Sequence, residues 1–424
     1  MLFIKNGYLI DPASQTEGIC NLIIDGTKIL KMGEKVEPAQ SDELEVLDAT
    51  GCIVAPGLVD VHTHFRDPGI TYKEDIFTGA AAGAKGGYTT LVGMANTIPA
   101  VSDPETISYI IEKGKKTGIH VVTCSTVTKE MQGKELCDLE GLKAAGAVGF
   151  TDDGKPILDT EMVRTAMKEA ARLDCPISFH EEDPQYIQNN GINAGTVAKK
   201  LGLGGSDRQA EISMVKRDLE IALETGASID IQHISSKEAV ELVRQAKKRG
   251  NSIHSEATPH HFTLTEEAVL QHGTLAKMNP PLREEADRQA ILVGLQDGTI
   301  DLIATDHAPH SKAEKDKSFA EAPSGITGLE TALSLGITKL VRENVLTMMQ
   351  LLEKLTCNPA ALYHLDAGYV KEGGPADLVI FAPEETWTVN EFLSKSTNTP
   401  FKGETLYGVV HQVICDGKIV YRYR

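Results

Sequence analysis

The 424-residue sequence lacks several signatures, and each absence excludes a class of protein. No run approaches the roughly 18–20 consecutive apolar residues that a membrane-spanning helix needs, so no membrane partner is expected. The opening residues, Met1-Leu2-Phe3-Ile4-Lys5-Asn6-Gly7, have neither the basic nor the apolar segment of a secretory signal and read directly as a strand. Seven cysteines, an odd number with no Cys-x-x-Cys pair, argue against a disulfide framework and against a thiolate zinc site. These absences predict a soluble protein of the reduced cytoplasm. Positive charge is also scarce. Lys and Arg number 42 against 60 Asp and Glu, a net charge of −18, and binding nucleic acid needs a basic face. An anionic substrate would therefore have to be held by positive charge placed locally. Low-complexity tracts and repeats of solenoid period are missing too.

What is present suits a large α/β protein. The 41% apolar residues are ample for a core, and the length fits a barrel of about 250–300 residues with a smaller domain beside it. Residues 1–50 read as short strands, among them Leu2-Phe3-Ile4, Asn21-Leu22-Ile23-Ile24 before an Asp25-Gly26 hairpin signal, and Glu45-Val46-Leu47-Asp48. Residues 366–424 have the same character, with strands expected over 376–381, 408–415 and, after an Asp416-Gly417 turn, 418–421. Two β-rich ends suggest one small β domain assembled from both termini; two unrelated appendages are the alternative.

Between them, over 51–365, short apolar runs alternate with helical patterns such as Thr160 to Leu173 and Lys237 to Arg249. A buried strand over 52–59 and runs at 89–94, 120–124, 147–151, 176–180, 228–233, 252–256 and 300–306 make eight, the number of a (β/α)8 TIM-type barrel. A doubly wound open sheet competes, but no Gly-x-Gly-x-x-Gly turn favours it.

The ionisable residues fall at the ends of those strands. His62 and His64, two apart in Val61-His62-Thr63-His64-Phe65-Arg66-Asp67, point to one face of a strand end. Asp152 and Asp153, His180, His233 and Asp306 end the fourth, fifth, sixth and eighth strands. Singly, each has a structural explanation, such as capping a carbonyl or the next helix. In a barrel these ends converge on the face where active sites are built. Imidazoles with carboxylates suit zinc first, then manganese, iron or cobalt, and six ligands with positions left open call for two ions.

The stretch His62-Thr63-His64-Phe65-Arg66-Asp67-Pro68-Gly69 closely resembles the metal-binding opening of the amidohydrolase superfamily, in particular of bacterial class I dihydroorotases. Gly93-Met94-Ala95-Asn96-Thr97, Phe150-Thr151-Asp152-Asp153-Gly154 and Lys277 to Arg283 are similar to further signatures of that family, as are Thr305 to His310 and Gly325 to Thr331. The resemblance runs over essentially the whole chain. It implies two Zn2+ ions, one held by His62 and His64 and the other by His180 and His233, with Asp153 bridging them. Asp152 is left as a neighbour of the site. Asp306 is implied as a ligand of the first zinc and as the general base and acid. Arg66, Asn96 and His310 would hold a substrate carboxylate, with His64, Asn279 and the backbone around Ser324 and Gly325 also beside the substrate. This family more usually has an aromatic residue where this chain has Ser324.

The implied reaction is reversible, zinc-dependent hydrolysis of L-dihydroorotate to N-carbamoyl-L-aspartate in pyrimidine (UMP) synthesis. The resemblance admits a homodimer and an association with aspartate transcarbamoylase. Two other readings compete: a related cyclic amidase such as an allantoinase or hydantoinase, and a non-catalytic barrel partner of aspartate transcarbamoylase. The first typically carries lysine where this chain has Asp153, and the second is expected to have lost ligands that this chain keeps.

His254, His260, His261 and His307 read as packing or as supports of the site. His120, His272, His364 and His411 carry no functional reading. The polar segment Ala308 to Thr327 is expected to order over bound substrate. Equal protease sensitivity with and without ligand would contradict that.

Overall fold

The computed structural model describes residues 1–39, 44–250 and 252–423. Strands are numbered in chain order. Five come first: β1 (Leu2–Asp11), β2 (Thr16–Asp25), β3 (Lys28–Gly33), β4 (Glu45–Asp48) and β5 (Ile53–Pro56). Eight follow: β6 (Leu58–Thr63), β7 (Tyr88–Gly93), β8 (His120–Thr123), β9 (Phe150–Thr151), β10 (Ile177–Phe179), β11 (Ile229–Ile231), β12 (Ile253–Ala257) and β13 (Leu302–Ile303). The last three are β14 (Leu378–Thr388), β15 (Thr405–Cys415) and β16 (Lys418–Arg422).

β6 to β13 form the barrel. Neighbours pair in parallel from β6 to β8 and from β9 to β13. Parallel bridges Ser125↔Phe150 and Thr63↔His307 close the two seams. The strands are short and, β8 excepted, almost wholly buried, as expected of strands covered by helices outside and side chains within. Several helices between strands begin at side-chain caps that satisfy free amides of their first turn. Asp75 caps Ile76–Gly86, Asp103 caps Pro104–Gly114, Asp159 caps Thr160–Arg172 and Ser236 caps Lys237–Lys247.

One sheet joins the two termini, in the order β16-β15-β14-β5-β1-β2-β3, with β4 also paired to β1. β5 makes the join, parallel to β1 and antiparallel to β14. The single buried strand expected over 52–59 is therefore two strands in two sheets. Gly57 is the break: a Cβ there would lie 2.1 Å from Thr89 Oγ1, so only glycine lets the chain pass from one sheet to the other this close to β7. The barrel strands are also shorter than the apolar runs. In 300–306, only Leu302 and Ile303 keep strand pairing, and Asp306 has turned to φ 45°. No helix among the described residues is long and apolar enough to cross a membrane.

Candidate metal centre and its cavity

The ends of the barrel strands deliver six buried side chains to one place. His62 lies within β6, and His64 follows it. Asp153, His180, His233 and Asp306 stand one to three residues past β9, β10, β11 and β13. His233 and Asp306 have φ of 34° and 45°, and Arg66 has 57°. This region is sparsely populated for residues with a Cβ, and each such residue costs on the order of 1 kcal/mol or more. The backbone accepts that cost where it turns these three side chains toward the site.

Asp153 is the hub. Its carboxylate oxygens lie 3.6 Å from His62 Nε2, 3.5 Å from His64 Nε2, 3.7 Å from His180 Nδ1 and 4.0 Å from His233 Nε2. Asp306 Oδ1 lies 2.9 Å from His64 Nε2 and 3.5 Å from His62 Nε2. Three overlapping groups arise with donor atoms spaced as metal ligands: His62, His64 and Asp153; His62, His233 and Asp306; and Asp153, His180 and His233. Asp152 takes no part. It accepts from the Val127 and Thr128 amides and the Thr128 hydroxyl, tying the β9 end to the loop after β8.

The unused nitrogens fix the chemistry. A carboxylate only accepts, so His62 Nδ1, 2.5 Å from Glu256 Oε1, donates its N–H there. That leaves the Nε2 lone pair buried, without a hydrogen-bond partner, facing carboxylate oxygens. Likewise His180 Nε2 is held 3.1 Å from Glu182 Oε2, and its Nδ1 lone pair is left 2.9 Å from His233 Nε2. Buried lone pairs and carboxylates turned on one another are destabilising unless a cation lies among them. The donor set therefore fits a divalent metal. Burial works against positive charge on His62, yet Glu256, Asp306 and Asp153 together hold its pKa well above the usual imidazole range, so the pocket favours positive charge at Nε2, which a bound metal would supply in place of a proton. Burial likewise works against an ionised Asp153, but His62, His64 and His180 pull its carboxyl far below the ordinary range.

Above the cluster lies a cavity of about 220 Å³, lined by His64, Arg66, Asn96, Asp153, His180, His233, Asn279, Asp306, His310 and Ser324, among others. Asn96 is shared between wall and cluster: Oδ1 lies 2.9 Å from His64 Nδ1, and Nδ2 donates to Asp153 Oδ2 at 3.1 Å. Arg66 Nη2 stands 3.5 Å from His310 Nε2, and Lys73 Nζ 3.2 Å from its Nδ1. Burial, with Arg66 and Lys73 adding, pushes the His310 pKa down to about 2, so its ring is neutral beside two cations. Asn279 Oδ1 and Ser324 Oγ are buried without partners on the same wall. Gly325 stands behind Ser324, its N–H donating to Lys277 O and its carbonyl accepting from Asn398 Nδ2 and Lys315 Nζ.

The segment 308–327 is folded against this wall. Lys315 Nζ donates to Pro323 O and Gly325 O, and burial pushes its pKa down to about 7. Glu314 pairs with Lys73 at 2.9 Å.

Glu256 and Glu182 are the supports that sequence reasoning missed. The available signal was a carboxylate at the end of an apolar run, in Ile253-His254-Ser255-Glu256, and another two residues past His180. His254, His260, His261 and His307 lie outside the metal-spaced groups. His261 Nε2 bonds Pro280 O beside Asn279, His307 Nε2 lies 3.3 Å from Glu74, and His254 is 3.9 Å from Asp301.

Comparison with known proteins agrees with this geometry. The model of the amidohydrolase family matches residues 53–420. The dihydroorotase of Clostridioides difficile strain 630 is 57% identical over 422 residues, covering 99% of this chain and 100% of that protein. The dihydroorotase of Clostridium acetobutylicum is 53% identical over 423 residues, covering 99% of each. Among solved structures, a D-hydantoinase from Bacillus sp. AR9 superposes with a TM-score of 0.87 at 24% identity, over 100% of this chain and 95% of its own. A dihydropyrimidinase from Brevibacillus agri NCHU1002 does so at 0.86 and 24%, over 99% and 95%. At that identity the likeness is one of fold.

Proposed function

The chain belongs to the amidohydrolase family and, within it, to the dihydroorotases; on that premise we propose which residues carry the reversible hydrolysis of L-dihydroorotate to N-carbamoyl-L-aspartate, a step of pyrimidine synthesis. His62, His64, His180, His233, Asp153 and Asp306 hold the metal, with Asp153 shared between two positions. The nitrogen-rich donor set favours zinc, two ions per chain. When bound, the metal supplies the acidity that makes water a nucleophile near neutral pH and the positive charge that polarises the carbonyl under attack.

The protein's own groups do the rest. Asp306, at the cavity wall and 2.9 Å from His64, takes the proton of the attacking water and delivers it to the leaving ring nitrogen; in the synthetic direction it runs in reverse. Arg66 receives the substrate carboxylate in its fork of donors, and the neutral His310 ring adds a hydrogen bond beside it. Asn96 orients His64 and reaches the same carboxylate. Asn279 Oδ1 and Ser324 Oγ, buried without partners, gain them from the ring's amide groups.

The observation that carries this reading is the placement of Arg66 and His310 in one cavity with the His/Asp cluster. Fixed positive charge there suits a ring bearing a carboxylate, and in a protein of net charge −18 that attraction has to be local. A hydantoinase-type ring without that carboxylate leaves Arg66 unpaired. Purified protein offered dihydroorotate, hydantoin and allantoin in parallel is expected to turn over dihydroorotate alone. Comparable turnover of hydantoin would remove Arg66 from its assigned role.

A further inference from the structure

At the opposite, N-terminal end of the barrel strands, where the terminal β sheet meets the barrel, three potential ligands of different chemistry converge. His120 opens β8, Asp377 directly precedes β14, and Cys415 closes β15. Their donor atoms all lie within 4.8 Å of one another, and His120 Nε2 is 2.9 Å from Asp377 Oδ2. Asp377 and Cys415 are buried, while the His120 ring is partly exposed and borders a cavity of about 370 Å³ shared with Cys415, Lys418 and Val420. Asp377 Oδ1 accepts the Asp416 amide at 2.7 Å, which fixes the carboxylate and leaves Oδ2 directed at the cluster.

We propose that His120, Asp377 and Cys415 form a further zinc site, separate from the catalytic centre. One imidazole nitrogen, one carboxylate oxygen and one thiolate are all ordinary zinc ligands, and the site is three-coordinate from protein with a fourth position open to water from the cavity. Zinc–ligand bonds of about 2.0–2.3 Å place tetrahedral ligands roughly 3.3–3.8 Å apart, so small side-chain rotations close the set. The ion ties β14 and β15 of the terminal sheet to β8 of the barrel. Burial, with Asp377 and Asp416 adding, pushes the Cys415 thiol well up; the thiol is protonated before metal arrives, and binding exchanges that proton for the S–Zn bond. The cysteine pattern, odd in number and without a Cys-x-x-Cys pair, argues against a thiolate zinc site; this site runs against that expectation because its ligands come from segments far apart in sequence.

The site can be tested apart from catalysis because only it contributes sulfur. Among the described residues, no metal-spaced group at the catalytic centre includes a cysteine. The metal-stripped full-length protein is titrated with Co2+ and followed by absorption. A thiolate-to-cobalt charge-transfer band is expected, complete by three equivalents of Co2+ per chain, with the final intensity of one cobalt–thiolate bond per chain and bleached by Zn2+. The band should vanish in Cys415→Ser and in Cys415→Ala and weaken in His120→Asn, while the Cys415 variants keep dihydroorotate turnover. No thiolate band in the unaltered protein at saturating Co2+, or a band that survives both Cys415 substitutions, overturns the proposal.

Discussion

Glu256 Oε1 lies 2.5 Å from His62 Nδ1, and the same oxygen accepts the backbone N–H of His233 at 3.1 Å. One buried carboxylate on β12 thus sets the tautomer of a proposed ligand on β6 and the backbone of another past β11. Glu256→Gln keeps the volume but loses the charge that holds His62 with its lone pair inward. Metal affinity is expected to fall about 10- to 100-fold, read by competition with a chelator, with the fold unchanged by circular dichroism. Unchanged affinity would reduce Glu256 to a packing residue.

Asp306 stands at the cavity wall beside His64. Asp306→Asn removes its capacity to move a proton while keeping its shape. Turnover is expected to drop about 10²- to 10⁴-fold, with dihydroorotate binding retained in equilibrium dialysis. Near-normal turnover would take Asp306 out of the chemistry.

Arg66→Lys keeps the charge and loses the fork. KM for dihydroorotate should rise roughly ten- to a hundredfold, the worth of one charge-assisted hydrogen bond, while kcat changes much less. An unaltered KM would mean that the carboxylate lies elsewhere.

His310 titrates near 6.5 in the unfolded chain but only at about 2 when folded, because burial and the adjoining Arg66 and Lys73 oppose its protonation. Between those values the unfolded chain binds a proton that the folded one does not. Stability from this group is therefore complete above about pH 6.5 and is lost as pH falls below it, by up to about 1.4 kcal/mol per unit. Urea midpoints of metal-stripped protein at pH 7 and pH 5 should fall further for the unaltered chain than for His310→Gln. Equal falls would show a solvated His310.

Much of this was legible in the sequence because it depends on local pattern. His62 and His64 share a strand face, and Asp153, His180, His233 and Asp306 each follow an apolar run; the structure gathers the six into three overlapping groups with donor atoms spaced as metal ligands. The barrel and the β domain built from both termini follow from the same alternation. The split of 52–59 was not legible, since Gly57 is required by Thr89, a contact that exists only once β7 is in place. Glu256, Glu182 and the turned backbones of His233 and Asp306 escaped for the same reason: their roles are set by neighbours distant in sequence. His120 drew no functional reading because its partners, Asp377 and Cys415, lie more than 250 residues away.

The most direct test of the account is a dihydroorotate hydrolysis assay on metal-stripped protein before and after zinc is restored, with Asp153→Asn carried through the same steps. No turnover is expected from the stripped protein, recovery on zinc addition, and no recovery in Asp153→Asn, which lacks the hub carboxylate. Full turnover without metal, or full recovery in Asp153→Asn, would contradict it.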